Sequence, residues 1–330
     1  MRRCRPVAYA ERVNTMDKQL NIVVFTRESD APYRARLLDS DAASFTFCRT
    51  EEEVEAHIAD ADVILGSVSF PARLLAHAER VKWIQVTGAG VDAFLGQGPL
   101  PSGVLLTRAD VSFGEQIAEY VIGHLLALTQ QIRDVYTLQA SRRWDPLTVE
   151  LLRGRTMGIL GAGSIGQAVA ARARGMGLRT VGLARTARAL PGFDVVHAAD
   201  DLPTILSNAD VLVVCLPLTR QTRGLIRRAE LAQLKPSAIL VNVARGAIVD
   251  EEALIEALAV KKIRAAILDV FAEEPLSPES PLWGMENVTI TSHHAGLNIP
   301  DEIIDFFLKN LTRFRSGRPL SGLVNLDRGY

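Results

Sequence analysis

Cysteine is scarce in this chain: three residues in 330, Cys4, Cys48 and Cys215, widely spaced and odd in number. They assemble into neither a disulfide framework nor a zinc cluster, so no metal is expected and a reducing, cytoplasmic compartment is the simplest setting. Apolar runs are short. None approaches the ~18 residues that a spanning helix needs, so no membrane partner is expected. Charge of one sign is missing too, because 37 Lys plus Arg stand against 38 Asp plus Glu and leave a formal net charge of −1. That balance gives no support to nucleic-acid binding. Repeats and low-complexity tracts are absent, and a chain with 48% AVILMFWYC and 23% charged residues is neither fibrous nor disordered. Residues 1–18 begin basic, but their apolar stretch, Val7 to Ala10, is too short for a signal-peptide core. They are read as a flexible extension.

What is present is material for about two domains. From Asn21 onward, short aliphatic runs alternate with amphipathic stretches. Ile22–Phe25, Val63–Leu65, Trp83–Val86 and Val104–Leu106 read as strands, with helical segments at Glu51–Ala59 and Ala72–Ala78 between them. This alternation predicts a parallel sheet covered by helices. A long helix is expected from about Gly114 to Ala140, where Ile117, Val121, Ile122, Leu125, Leu128, Ile132 and Val135 recur mostly at three- and four-residue spacing. A second series follows at 156–160, 180–183, 195–197, 211–215, 238–242, 265–268 and 288–291, enough for a complete doubly wound domain. The tail from Pro300 to Arg315 reads as another amphipathic helix, with Ile303, Ile304, Phe307 and Leu311 as its spine. The second series is thus expected to be inserted into the first.

Gly161-Ala-Gly163-Ser164-Ile165-Gly166 follows the strand at 156–160 and opens a helix. A GxGxxG in that strand–turn–helix position predicts a dinucleotide site. Gly161 permits the tight turn, Gly163 lets a pyrophosphate approach the backbone, and Gly166 lets helix pack on strand. The free N–H groups and positive dipole end of the helix face the phosphates. Nineteen residues past Gly166 lies Arg185, followed by Thr186 and Arg188, where an NAD-selective site would carry a carboxylate. An arginine beside a hydroxyl suits the 2′-phosphate of NADP. NADP(H) is the expected cofactor, with NAD(H) left open.

Three further segments each put a polar residue just past a strand: Asn242-Val243-Ala-Arg245-Gly246, Asp269-Val-Phe-Ala-Glu-Glu274-Pro275, and Thr291-Ser-His293-His294. In an open parallel sheet ligands bind at the carboxyl ends of the strands, so arginine, glutamate and histidine can converge there. Taken singly each also fits a structural loop residue.

As an ordered set, with Gly88-Ala89-Gly90-Val91-Asp92 and Leu216-Pro217-Leu218-Thr219-Arg-Gln-Thr222, these motifs resemble the D-isomer-specific 2-hydroxyacid dehydrogenase family, nearest its glyoxylate/hydroxypyruvate reductase-like members. The resemblance covers nearly the whole chain after residue 20. It implies two doubly wound α/β domains, a Rossmann cofactor domain (114–296) inserted into a flavodoxin-like substrate domain (19–113 and 297–330), and a homodimer. It also implies reduction of a small 2-oxoacid to the D-2-hydroxyacid by hydride from NADPH.

The residue types suit that chemistry. His293, with an ordinary pKa near 6.5, serves as general acid. Glu274 orients the imidazole and favours its charged form. Arg245 is permanently charged and forked, fit to grip a carboxylate and polarise a ketone. Ala89 and Gly90 offer backbone N–H groups to the substrate. The resemblance adds Leu216, Pro217, Thr222, Val243 and Asp269 as cofactor contacts, and Trp144, seventeen residues before Gly161, as a side chain reaching the neighbouring subunit's site. Ser292 and His294 depart from the family's usual proline and apolar residue. A second reading stands beside the enzyme: a dinucleotide-sensing binding module of the same fold, which can retain the catalytic residues.

Overall fold

The structure is a computed structural model and describes residues 19–27, 29–38 and 43–330. The extension expected at 1–18, with Cys4, lies outside the described residues.

One compact unit runs to Ser112 and resumes at Asn298–Tyr330; the other comprises Phe113–Leu297. In the first, the order is β1 (Leu20–Phe25), α1 (Ala31–Leu37), β2 (Ala43–Cys48), α2 (Glu51–His57), β3 (Val63–Gly66), β4 (Trp83–Val86), α3 (Asp92–Leu95) and β5 (Leu105–Arg108). In the second follow α4 (Phe113–Thr129), α5 (Ile132–Ala140), β6 (Thr156–Leu160), α6 (Ser164–Gly175), β7 (Arg179–Leu183), β8 (Val195–His197) and α7 (Leu202–Asn208). Then come β9 (Val211–Val214), α8 (Arg228–Leu231), β10 (Ile239–Asn242), α9 (Glu251–Ala259), β11 (Ala265–Leu268) and β12 (Val288–Ile290). Helix α10 (Pro300–Arg315) closes the first unit.

The first sheet is five-stranded and parallel, in the order β2-β1-β3-β4-β5. Its strands β3 and β4 are buried throughout, as both faces of a parallel sheet must be covered. On one face α10 buries Ile303, Ile304, Phe307, Leu311 and Phe314, and Trp83 stacks on Phe307 at 5.1 Å. Pro300 and two acids open that helix and two arginines end it, the arrangement that the macrodipole favours. Strand β2, which the sequence reading passes over, is an edge strand paired only with β1. The expected helical turn at Ala72–Ala78 is a 3₁₀ segment, Ala72–His77.

The second sheet has seven parallel strands in the order β12-β11-β10-β9-β6-β7-β8. Chain direction across the sheet reverses between β6 and β9, which creates the crevice where such sheets bind ligands. Because all seven strands are parallel, their carboxyl ends lie along one edge.

One expectation is corrected. The single helix expected from Gly114 to Ala140 is two helices, broken at Gln131, which adopts a left-handed φ of 51°. The segment beyond α5 folds back onto the break: Glu150 N–H donates to the Thr129 carbonyl (3.0 Å), and Gln130 and Gln131 donate to the carbonyls of Glu150 and Thr148. The first bond satisfies a carbonyl at the interrupted end of α4, the two glutamine side chains tie the returning segment down, and α5 buries no residue.

Candidate active site

The switch point carries the glycine turn. Gly161 has φ +107°, and a Cβ there would lie 2.7 Å from the Cys215 carbonyl oxygen at the end of β9. At Gly166 a Cβ would fall 1.9 Å from the Gly161 carbonyl oxygen, whereas at Gly163 it would meet nothing within 4 Å. The first and third glycines are therefore demanded by the protein, and the middle one faces open space. Gly163 caps α6, whose first turn holds no acid. The N–H groups of Ser164, Ile165 and Gly166 lie in the first turn, where helix geometry provides no intrahelical partner. An anion fits this cradle.

The loop after β7 adjoins it, since the Leu183 carbonyl accepts from both Gly161 and Ala162 N–H (3.1 and 3.2 Å). Two residues on, Arg185, Thr186 and Arg188 are exposed, and no acid occurs from Leu183 through Phe193. After β9, the Thr222 hydroxyl donates to the Pro217 carbonyl (2.6 Å) and accepts from Thr219 N–H (2.8 Å). Its hydroxyl is thus spent on shaping the Leu216–Thr219 backbone. Val243 is buried just past β10.

His293, Glu274 and Arg245 sit on successive loops of the same sheet edge. His293 Nδ1 lies 2.7 Å from Glu274 Oε2, and Glu274 Oε1 accepts from Phe271 N–H at 3.0 Å. The carboxylate is pinned from two sides, and the imidazole's Nε2 is the nitrogen left to face a reactant. The Glu274 hydrogen bond lifts His293 above the ordinary histidine value against the effect of burial. Burial raises the Glu274 carboxyl, but His293, the Phe271 N–H and the Arg245 charge outweigh it and hold the group below the usual carboxylate range. Arg245 acts electrostatically on both partners.

Gly246 explains why these loops can meet. A Cβ there would fall 1.9 Å from the carbonyl carbon of Phe271, so only glycine lets the Arg245 loop touch the one bearing Glu274. Asn242, buried at the end of β10, donates to the Arg245 carbonyl (3.1 Å) and accepts from Ala244 N–H (3.2 Å). It sets the turn that presents the arginine.

Asp269 is 1% exposed. Its Oδ1 accepts from the Thr291 hydroxyl (2.6 Å) and His294 N–H (2.9 Å), and Oδ2 from Ala295 N–H (3.0 Å). This carboxylate anchors the histidine loop, a task the sequence reading did not assign to it. Tyr120 on α4 joins the same cluster through Thr291, 2.7 Å away. No pattern in the sequence links two residues so far apart.

In the other unit, Ala89 and Gly90 follow β4. The Ala89 carbonyl accepts from Arg108 (3.4 Å), while the Ala89 and Gly90 N–H groups make no hydrogen bond among the described residues. Trp144 is fully exposed (100%), as are Tyr136 on α5 and Leu151 in part (66% and 65%). Among the described residues no His, Cys, Asp and Glu side chains are grouped to hold a metal, and no helix is long and apolar enough to cross a membrane.

A family model described as the NAD binding domain of D-isomer specific 2-hydroxyacid dehydrogenase matches residues 122–295. The glyoxylate/hydroxypyruvate reductase A of Yersinia enterocolitica is 35% identical over 266 residues, covering 79% of this chain and 85% of that protein. A solved D-isomer specific 2-hydroxyacid dehydrogenase family protein from Aeromonas salmonicida is 35% identical with a TM-score of 0.86, covering 94% of this chain and 100% of that one. An NADPH-dependent glyoxylate/hydroxypyruvate reductase from Sinorhizobium meliloti, solved with NADP and sulfate, is 29% identical with a TM-score of 0.86, covering 95% of this chain and 100% of that one.

Proposed function

The chain belongs to the D-isomer specific 2-hydroxyacid dehydrogenase family, and from that premise we propose that it reduces a small 2-oxoacid, glyoxylate or hydroxypyruvate in kind, to the D-2-hydroxyacid with NADPH. The observation that carries this reading is the 2.7 Å His293–Glu274 pair on the edge of a sheet whose switch point bears an open glycine turn. The reductase names of the relatives, and the NADP bound in the Sinorhizobium protein, support the substrate class and the cofactor.

NADPH, when bound, supplies the hydride that reaches the carbonyl carbon. Everything else falls to the protein's own residues. His293 Nε2 gives its proton to the carbonyl oxygen, and Glu274 stabilises the imidazolium that must be present beforehand. Arg245 grips the substrate carboxylate and polarises the ketone. The unspent Ala89 and Gly90 N–H groups are assigned to the same carboxylate. Ser164, Ile165 and Gly166 receive the pyrophosphate, Arg185, Thr186 and Arg188 the 2′-phosphate. The Leu216–Pro217 backbone, shaped by Thr222, together with Val243 and the free lone pair of Asp269, is assigned to the nicotinamide half. We assign residues 114–296 to the cofactor domain and 19–113 with 297–330 to the substrate domain.

A homodimer is proposed as well. A fully exposed tryptophan beside the exposed α5, with Ile132, Val135 and Tyr136 solvent-facing, suits burial by a second copy. Free Cys48 and Cys215 favour a reducing cytoplasm.

The test is oxidation of NADPH and of NADH, side by side, with glyoxylate, hydroxypyruvate, pyruvate and phenylpyruvate. Turnover with NADPH and a small acid is expected. Preference for NADH would overturn the 2′-phosphate assignment. Tight dinucleotide binding without turnover would favour a sensing module.

A further inference from the structure

His293 occupies an unusual backbone conformation. Its φ is +54°, the left-handed region that is disfavoured for a non-glycine residue because its Cβ crowds the following carbonyl oxygen. Something must hold it there. The next two N–H groups, of His294 and Ala295, both point at the Asp269 carboxylate, and the His293 N–H itself donates to the Asp269 carbonyl (2.9 Å). Successive N–H groups around a left-handed residue form a concave nest for an anion, so here an internal carboxylate fills the nest and fixes the turn.

Asp269 is in turn fixed by a hydroxyl chain whose polarity can be worked out. Thr291 has one hydroxyl hydrogen. It faces the Asp269 carboxylate at 2.6 Å and the Leu268 carbonyl at 3.5 Å, so the hydrogen goes to Asp269. The Tyr120 hydroxyl, 2.7 Å from the same oxygen, must then be the donor to Thr291. Burial pushes the Tyr120 phenol up to about 12, which keeps that proton in place at working pH. Each bond in such a chain polarises the next.

We propose that Tyr120 is a positioning residue for His293, acting through the Thr291 hydroxyl and the Asp269 carboxylate to hold the left-handed turn that presents the imidazole. The proposal rests on His293 being the proton donor of the reduction. It gives α4, which carries no residue of the recognised motifs, a part in the site. The charged and titratable groups facing His293 are Glu274, Arg245 and Asp269; those against the Tyr120 ring are His124 at 4.3 Å and His294 at 5.9 Å.

The test compares Tyr120→Phe, Thr291→Val, Thr291→Ser and the Tyr120→Phe/Thr291→Val pair in the full chain, with two readouts. The first is steady-state reduction. Tyr120→Phe is expected to lower kcat about 3- to 10-fold, the loss of one net hydrogen bond, with both KM values within about twofold. The double variant should be no slower than Thr291→Val alone, because both cut one chain, and Thr291→Ser should keep the wild-type rate. The second readout is the titration of the His293 ring by NMR in the ligand-free protein. Its midpoint should fall by about 0.3 pH unit or more as the Glu274 contact loosens. If the wild type shows no turnover, the reductase reading fails while the titration still judges this proposal. An unmoved His293 midpoint in Tyr120→Phe overturns it, even if thermal stability drops.

Discussion

Replacing Glu274 with Gln isolates the charge that tunes the proton donor. The amide oxygen still accepts from Phe271 N–H, now at 3.0 Å, so the loop keeps its shape and only the anion beside His293 is lost. Two unit charges about 4 Å apart interact by about 1 kcal/mol in water and about 4 kcal/mol at a dielectric near 20. The side chains of His293 and Glu274 are 47% and 36% exposed, which puts this pair toward the lower end, about 1–2 kcal/mol. At 1.36 kcal/mol per unit, the His293 pKa should drop by roughly one.

The sign follows from the chemistry. Reduction needs protonated His293, so activity is lost as pH rises through its pKa, and a lower pKa moves that alkaline limb to lower pH. The same pair contributes to stability only between the two pKa values. That contribution is lost as pH falls through the depressed Glu274 value or rises through the raised His293 value. The assay is kcat/KM for reduction from pH 5.5 to 9.5 at saturating NADPH. A limb that stays in place in Glu274→Gln refutes the argument that this carboxylate sets the protonation of His293.

Other perturbations reach different parts of the molecule. His293→Ala should cut kcat by about 10²–10⁴ while the dissociation constant of NADPH, followed by nicotinamide fluorescence, holds. Arg185→Asp should raise the KM for NADPH by about tenfold or more, through loss of a charge-assisted bond; an unchanged value would remove Arg185 from the 2′-phosphate site. Gly246→Ala drives a methyl into the Phe271 backbone and should cost about 3 kcal/mol in urea unfolding, with a matching loss of turnover. Trp144→Ala should leave unfolding within about 0.5 kcal/mol, because the side chain is fully exposed. Sedimentation should show weaker self-association.

Local chemistry is legible along the chain. Continuous aliphatic runs such as Val211–Val214 mark strands buried on both faces. The Gly161–Gly166 spacing marks a turn against a helix start, because the constraints that require glycine there act over only a few residues. The Arg245, Glu274 and His293 motifs, each just past a strand, have their shared edge settled once the strands are parallel. Other features depend on contacts between distant segments. Gln131 breaks a helix that its periodicity would continue, where the segment at 148–150 returns to bond the Thr129 carbonyl and the Gln130 and Gln131 side chains. Strand β2 pairs by backbone hydrogen bonding with a neighbour the apolar pattern does not name. Asp269 reads as a cofactor contact in its motif, and its additional part as the anchor of the histidine turn arises from contacts made only in the folded chain. The partnership of Tyr120 with Thr291 joins residues 171 positions apart. Sequence fixes which groups are available and how each short segment turns; hydrogen bonds and close backbone approaches between remote segments exist only in the folded chain, so only the tertiary structure decides which groups act together.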